Sequence, residues 1–138
     1  MDKKRIIETL NKALTEEITA LLQYFQHHYL YKGPNAISVK ALFKKLSFKE
    51  MDHAYMLGER IAALGGMPTT KPDRIEVPEK SIDMIKANVG VEDGAIVDFK
   101  KWIKVLDEEG DITSRNMLEG ILADEEEHIA ELRSLLGD

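Results

Sequence analysis

The sequence predicts an all-α fold, a bundle of four long helices with one long crossover between the second and the third. Three observations carry this. Apolar residues recur at steps of three and four through four segments, and no segment sustains the alternation of a strand. Glycine and proline signals divide those segments at Gly33-Pro34-Asn35, Gly65-Gly66 and Gly110-Asp111. The second division is followed by Pro68, Pro72 and Pro78 and leaves a link of 16 residues, from 65 to 80.

The first helix is predicted over residues 3–32. Its inner stripe runs Leu10, Leu14, Glu17, Leu21, Tyr24, His28. On that register His28 is a hydrogen-bonded histidine at the end of the bundle and His27 lies on the surface. A tight Gly-Pro turn makes the next helix, 37–64, an antiparallel neighbour. Its stripe runs Leu42, Leu46, Glu50, His53, Leu57, Leu64. The third helix, 81–109, carries Ile85, Val89, Glu92, Ile96, Phe99, Ile103 and Leu106 inward. Asp93 is adjacent to Glu92, and a small register change would exchange them. The fourth helix, 112–136, follows a second short turn and carries Leu118, Leu122, Glu125, His128, Leu132 and Leu135 inward.

The long link sets the topology. A 28-residue helix is about 42 Å long, and 16 extended residues reach at most about 53–58 Å. The link can therefore return along the whole bundle and leave helices two and three parallel.

With 138 residues the chain is expected to form one domain over 1–138 around a single core. Its 43% hydrophobic and 32% charged residues are those of a globular chain. A net charge of −6 argues against a nucleic-acid partner. There is no cysteine, so disulfides and thiolate sites are excluded. The N-terminal MDKKRIIETLNKAL has no apolar signal core, and no run is long enough to span a membrane. A cytoplasmic location without a membrane partner is the expectation.

The glutamates on the apolar stripes carry the chemistry. Each of the four helices has one, near its middle, and mid-helix positions lie at one level whichever way each chain runs. Glu50-x-x-His53 and Glu125-x-x-His128 add an imidazole one turn on, on the same side of the helix. Four buried carboxylates without compensation would protonate or unfold the bundle. Two divalent cations would supply +4 against −4, with neutral imidazoles as further ligands. A mostly oxygen donor set with one nitrogen per metal suits iron, or manganese, better than a closed zinc site. Glu108, Glu109, Glu126 and Glu127 are read as solvated.

On these residues the chain resembles a bacterioferritin, of the ferritin-like di-iron carboxylate family. The likeness runs through "LNKALTEEITALLQYF", "KEMDHAYMLGERI" and "SRNMLEGILADEEEHI". The resemblance implies that Glu17 and Glu92 are terminal ligands, that Glu50 and Glu125 bridge two irons, and that His53 and His128 complete one metal each. It makes Tyr24 the tyrosine beside the site and Met51 the methionine that ligates haem. Met51 also has a local argument. Phe48, Met51 and Tyr55 form a second apolar stripe on helix two, matched by Ile18, Leu22, Phe25 and Tyr29 on helix one. Two outward stripes on neighbouring helices imply a homodimer, with haem on its axis.

Two features depart from the family pattern. The chain stops at Leu-Leu-Gly-Asp, where bacterioferritins continue into a short fifth helix. Lys45 and Lys49 stand where the family's inner cage wall carries a histidine and an aspartate. The expectation is a ferroxidase that oxidises Fe²⁺ with O₂ or H₂O₂ in iron storage or detoxification. A dimer should dominate over a larger homo-oligomer. The alternatives are a rubrerythrin-like peroxidase and a non-enzymatic iron or haem binder.

Overall fold

The computed structural model describes all of residues 1–138. It contains α1 (Lys3–Leu30), α2 (Ala36–Ala63), α3 (Ser81–Glu108) and α4 (Ile112–Leu135) and no strand. Each boundary falls within two residues of its predicted position. Asp2 caps α1 by accepting a hydrogen bond from the Arg5 amide at 3.1 Å. Asp111 does the same for α4 from Ser114, also at 3.1 Å, and is held in turn by Arg60 of α2 at 2.8 Å. At the end of α2, Gly65 turns the chain with φ +86. Gly66 lets it pass α1, where a Cβ would stand 2.6 Å from Ile7.

Contacts between helix ends give the directions. Asp2 and Arg5 at the start of α1 bond Glu109 at the end of α3. Lys45, His53 and Arg60 along α2 meet Glu131, Asp124 and Asp111 in descending order. So α1 is antiparallel to both α2 and α3, α2 is antiparallel to α4, and α2 and α3 run parallel. The link makes the long crossover and is tied to α1 along its length. Asn11 bonds the Met67 carbonyl and the Thr69 amide, Thr19 accepts from the Asp73 amide, and Gln23 accepts from the Glu76 amide.

This packing corrects two readings. His27, expected on the surface, is fully buried, and His28 is only half-buried. Helix α1 buries a second face beneath the link, and Thr19, Gln23 and His27 occupy that face at four-residue spacing. Their bonds close a ring. The Glu76 amide donates to Gln23, Gln23 to Asn88 Oδ1, Asn88 to His27 Nδ1, and His27 Nε2–H to the Glu76 carbonyl at 2.7 Å. Burial pushes the His27 imidazole down, which suits the neutral ring these bonds require. Glu109 also departs from its solvated reading, for it is mostly covered and pairs with Arg5 at 2.8 Å.

The core is in two pieces. One cluster centres on Leu10, Leu14, Leu57, Phe99 and Leu118. The other centres on Tyr24, Phe43, Leu46, Ile85 and Leu132. In every helix the residues between the two clusters are the stripe glutamates and histidines, so a polar layer divides the core.

Candidate metal centre

The polar layer takes Glu17 from α1, Glu50 and His53 from α2, Glu92 from α3, and Glu125 and His128 from α4. None of the six is more than 3% exposed. His53 Nδ1 lies 3.2 Å from Glu125, 3.6 Å from Glu17 and 3.8 Å from Glu50. His128 Nδ1 lies 3.1 Å from Glu50, 3.4 Å from Glu125 and 3.8 Å from Glu92. The rings stack with centroids 6.2 Å apart.

Two groups of potential ligand atoms result, each within 4.8 Å of one another. They are Glu17, Glu50, His53, Glu125 and Glu50, Glu92, Glu125, His128. Glu50 and Glu125 belong to both. Both oxygens of Glu50, one oxygen each of Glu17, Glu92 and Glu125, and Nδ1 of both histidines are buried without a hydrogen-bond partner. Buried polar atoms are nearly always satisfied, so seven convergent orphans on six residues fit a pair of cations between them.

The same atoms shape the protonation of the metal-free protein. Burial alone would lower both imidazoles. The nearby carboxylates of Glu125 and Glu50 outweigh it, raising His53 to about 10 and, with Glu92, His128 to about 12. Burial and the neighbouring Glu125 push Glu92 up to about 8 despite the pull of His128. Without metal the centre thus offsets its four carboxylates by taking up protons.

Neighbours fix the geometry. The Tyr24 hydroxyl donates to Glu92 Oε1 at 2.7 Å and is pushed well above its ordinary range by burial and by that carboxylate. His53 Nε2 bonds Asp124 Oδ2 at 2.7 Å on the side away from the glutamates. Asp93 faces outward and pairs with Arg133 at 3.2 Å, so Glu92 is the helix-three carboxylate of the centre. Met51 lies on the opposite face of α2, half-buried in an apolar groove of about 530 Å³ that Leu14, Leu21 and Tyr55 also line. Lys45 and Lys49 are exposed, and Lys45 pairs with Glu131.

Two neighbours were not singled out from the sequence. Asp124 begins an acidic run in which Glu126 and Glu127 are exposed. Glu16 precedes Glu17 in a charged helix, with nothing in the spacing to distinguish it. Burial and its neighbour Asp98 raise its carboxyl to about 9.

A four-helix bundle with this crossover, holding four glutamates and two histidines in its middle, defines a ferritin-like protein. Residues 7–138 match the ferritin-like domain family. The chain is 39% identical over 132 residues to a bacterioferritin of Streptomyces coelicolor, covering 95% of this chain and 79% of that one. It is 34% identical over 128 residues to a bacterioferritin of Desulfovibrio desulfuricans, covering 92% and 72%. It also resembles the crystal structure of a ferritin-like, diiron-carboxylate protein from Bacillus anthracis. There the TM-score is 0.92, the identity 31% and the coverage 99% and 98% of the two chains. The chain belongs to the ferritin-like family, in its bacterioferritin branch. No helix is long and apolar enough to cross a membrane.

Proposed function

We propose that this chain is a di-iron ferroxidase of the bacterioferritin type, oxidising Fe²⁺ with O₂ or H₂O₂ in iron storage or detoxification. The observation that carries the reading is the pair of ligand groups sharing Glu50 and Glu125. Glu17 and His53 would hold one iron, Glu92 and His128 the other, and the two shared carboxylates would bridge them.

Fe²⁺ is the substrate, and the pair delivers two electrons. With peroxide the balance is two Fe²⁺, one H₂O₂ and two protons giving two Fe³⁺ and two waters. With O₂ the same two electrons and two protons give H₂O₂. The residues do the rest. Four carboxylates attract a +3 ion more strongly than a +2 ion, which favours the oxidised product. His53 and His128 must lose their protons to bind metal, and Tyr24 and Asp124 hold Glu92 and His53 in place. The bundle supplies a fixed, buried geometry.

Stopped-flow absorbance after mixing with Fe²⁺ tests this. The chain should speed oxidation well above the buffer rate, and Glu50→Ala should not. Binding without acceleration would favour an iron sequestrant. Acceleration by peroxide alone, at a site cycled by an added reductant, would favour a rubrerythrin-like peroxidase.

The reading extends to assembly and haem. The outward faces of α1 and α2 leave Tyr29, Phe48 and Tyr55 exposed, and Tyr55 lines the Met51 groove. We infer a homodimer through these faces, located in the cytoplasm, with a haem held by Met51 from each chain.

A further inference from the structure

The crossover is fastened to α1 along its length, and its last fastening differs in kind from the others. Asn11 and Thr19 hold Met67, Thr69 and Asp73 through groups that do not titrate. Glu76 is instead held at both its backbone N–H and its carbonyl by the closed ring of Gln23, Asn88 and His27. Those three side chains are at most 1% exposed, whereas Glu76 is exposed.

The ring can run in one direction only. The Glu76 N–H can only donate, so Gln23 must present Oε1 to it and Nε2 to Asn88. Asn88 must then present Oδ1 to Gln23 and Nδ2 to His27. His27 is left with a bare Nδ1 and an Nε2–H aimed at the Glu76 carbonyl. A proton on Nδ1 would meet the Asn88 amide, donor against donor. Turning Asn88 over moves the clash to Gln23, and turning Gln23 over moves it to the Glu76 N–H. A backbone N–H cannot become an acceptor, so the extra proton costs the ring one bond wherever it settles. The surroundings do little to offset this. Phe43 of α2 stands against the imidazole, with Tyr24 and Tyr31 against its own ring. Asn88 is the contact from α3. Burial lowers the imidazole and outweighs the carbonyl and carboxylate of Glu76, which pull the other way.

We propose that this ring is an acid-released latch on the crossover, in which protonation of His27 frees the stretch around Glu76 from α1 while the bundle stays folded. The latch does not depend on the di-metal reading. The stretch runs from Asp73, bonded to Thr19, to Ser81, which accepts from the Lys32 amide. Its release admits water to Gln23 and to Asn88, and Asn88 lies one turn before Glu92 on α3. The released imidazole has the ordinary value of 6.5 and the latched one a lower value, so the latch is whole above pH 6.5. Below that the released form binds the extra proton, and each pH unit favours release by up to about 10-fold.

Amide hydrogen exchange of the metal-free whole chain tests this, followed residue by residue by NMR and corrected for the intrinsic rate at each pH. Between pH 7 and pH 5, exchange at Glu76 should quicken about 5-fold or more. Thr69, held by Asn11 on the same crossover, should not follow it. The metal-free centre takes up protons and favours the fold as pH falls, so a quickening confined to Glu76 is not global unfolding. His27→Gln keeps an N–H for the Glu76 carbonyl and does not titrate, and it should remove the pH response. Asn88→Asp offers an acceptor to both neighbours and so accommodates protonated His27. It should keep Glu76 protected at pH 5, and it tests the latch even where His27→Gln does not fold. Glu76 and Thr69 quickening together, or neither quickening, would overturn the latch. So would a pH response that survives His27→Gln, or one in Asn88→Asp equal to the parent's.

Discussion

His53 and Asp124 meet at 2.7 Å across the side of the imidazole that faces away from the four glutamates. The contact assigns the ring's two nitrogens. Nε2 donates to Asp124, so the Nδ1 lone pair of the neutral ring points at Glu17, Glu50 and Glu125. His128 presents Nδ1 to the same centre, with no such bond behind it.

Asp124→Ala should therefore weaken metal binding without removing a ligand. Loss of such an outer partner typically costs 10–100-fold in affinity. Calorimetric titration with Fe²⁺ or Co²⁺ should show two metals still bound, one of them more weakly. Two unchanged affinities would show that Asp124 does not orient His53.

Shared and unshared carboxylates should behave differently. Glu50 and Glu125 belong to both ligand groups, and Glu17 and Glu92 to one each. Glu50→Ala or Glu125→Ala should abolish binding of the pair. Glu92→Ala should leave about one metal per chain, held by Glu17 and His53. Metal analysis after equilibrium dialysis reads this directly. Two metals retained by Glu50→Ala would refute the bridging role.

Much of this geometry was legible in the sequence because periodicity encodes burial. A glutamate on a stripe of leucines is visible as an anomaly, and four at mid-helix specify one level. What was less legible came from contacts that periodicity along one helix does not encode. Thr19, Gln23 and His27 form a polar row that looks solvated until the link covers it. Asp124 is similar, for its role depends on α2 lying opposite.

The metal-free chain should lose stability as pH rises above the acidic range. Glu92 titrates near 8 in the fold against an ordinary 4.5, so from about pH 4.5 to 8 the folded state binds the extra proton. His53 and His128, raised to about 10 and 12 from 6.5, extend the same sign upward from about pH 6.5. Each contribution is fully present below the unfolded value and is lost as pH rises through the folded one. Below pH 4 the lowered carboxyls of Glu109 and Asp111 oppose further gain. Thermal unfolding in chelator should give a higher Tm near pH 5 than near pH 8. Saturating divalent metal should reverse that order, because metal displaces these protons. At pH 7 binding should release about three protons, from His53, His128 and Glu92, seen by calorimetry in buffers of different ionisation heat. A Tm that rises with pH in chelator would show that the centre is not protonated as described.

The outward faces of α1 and α2 make the last prediction. Tyr29 and Tyr55 are 67% and 65% exposed and Phe48 is 49% exposed, a large apolar content for a free surface. A two-fold axis would let each face cover its own copy. Sedimentation should show a dimer, and Tyr29→Glu with Tyr55→Glu should give a monomer. Both residues are remote from the glutamates, so the monomer should still bind two metals. Haem separates two roles of the same face. Reconstitution should give one haem per two chains with a bis-methionine spectrum, and Met51→Leu should abolish it while leaving both the dimer and Fe²⁺ oxidation intact. Haem retained by Met51→Leu would remove Met51 as the ligand. A monomeric parent chain would remove the interface, and with it the symmetric haem site that requires two copies of Met51.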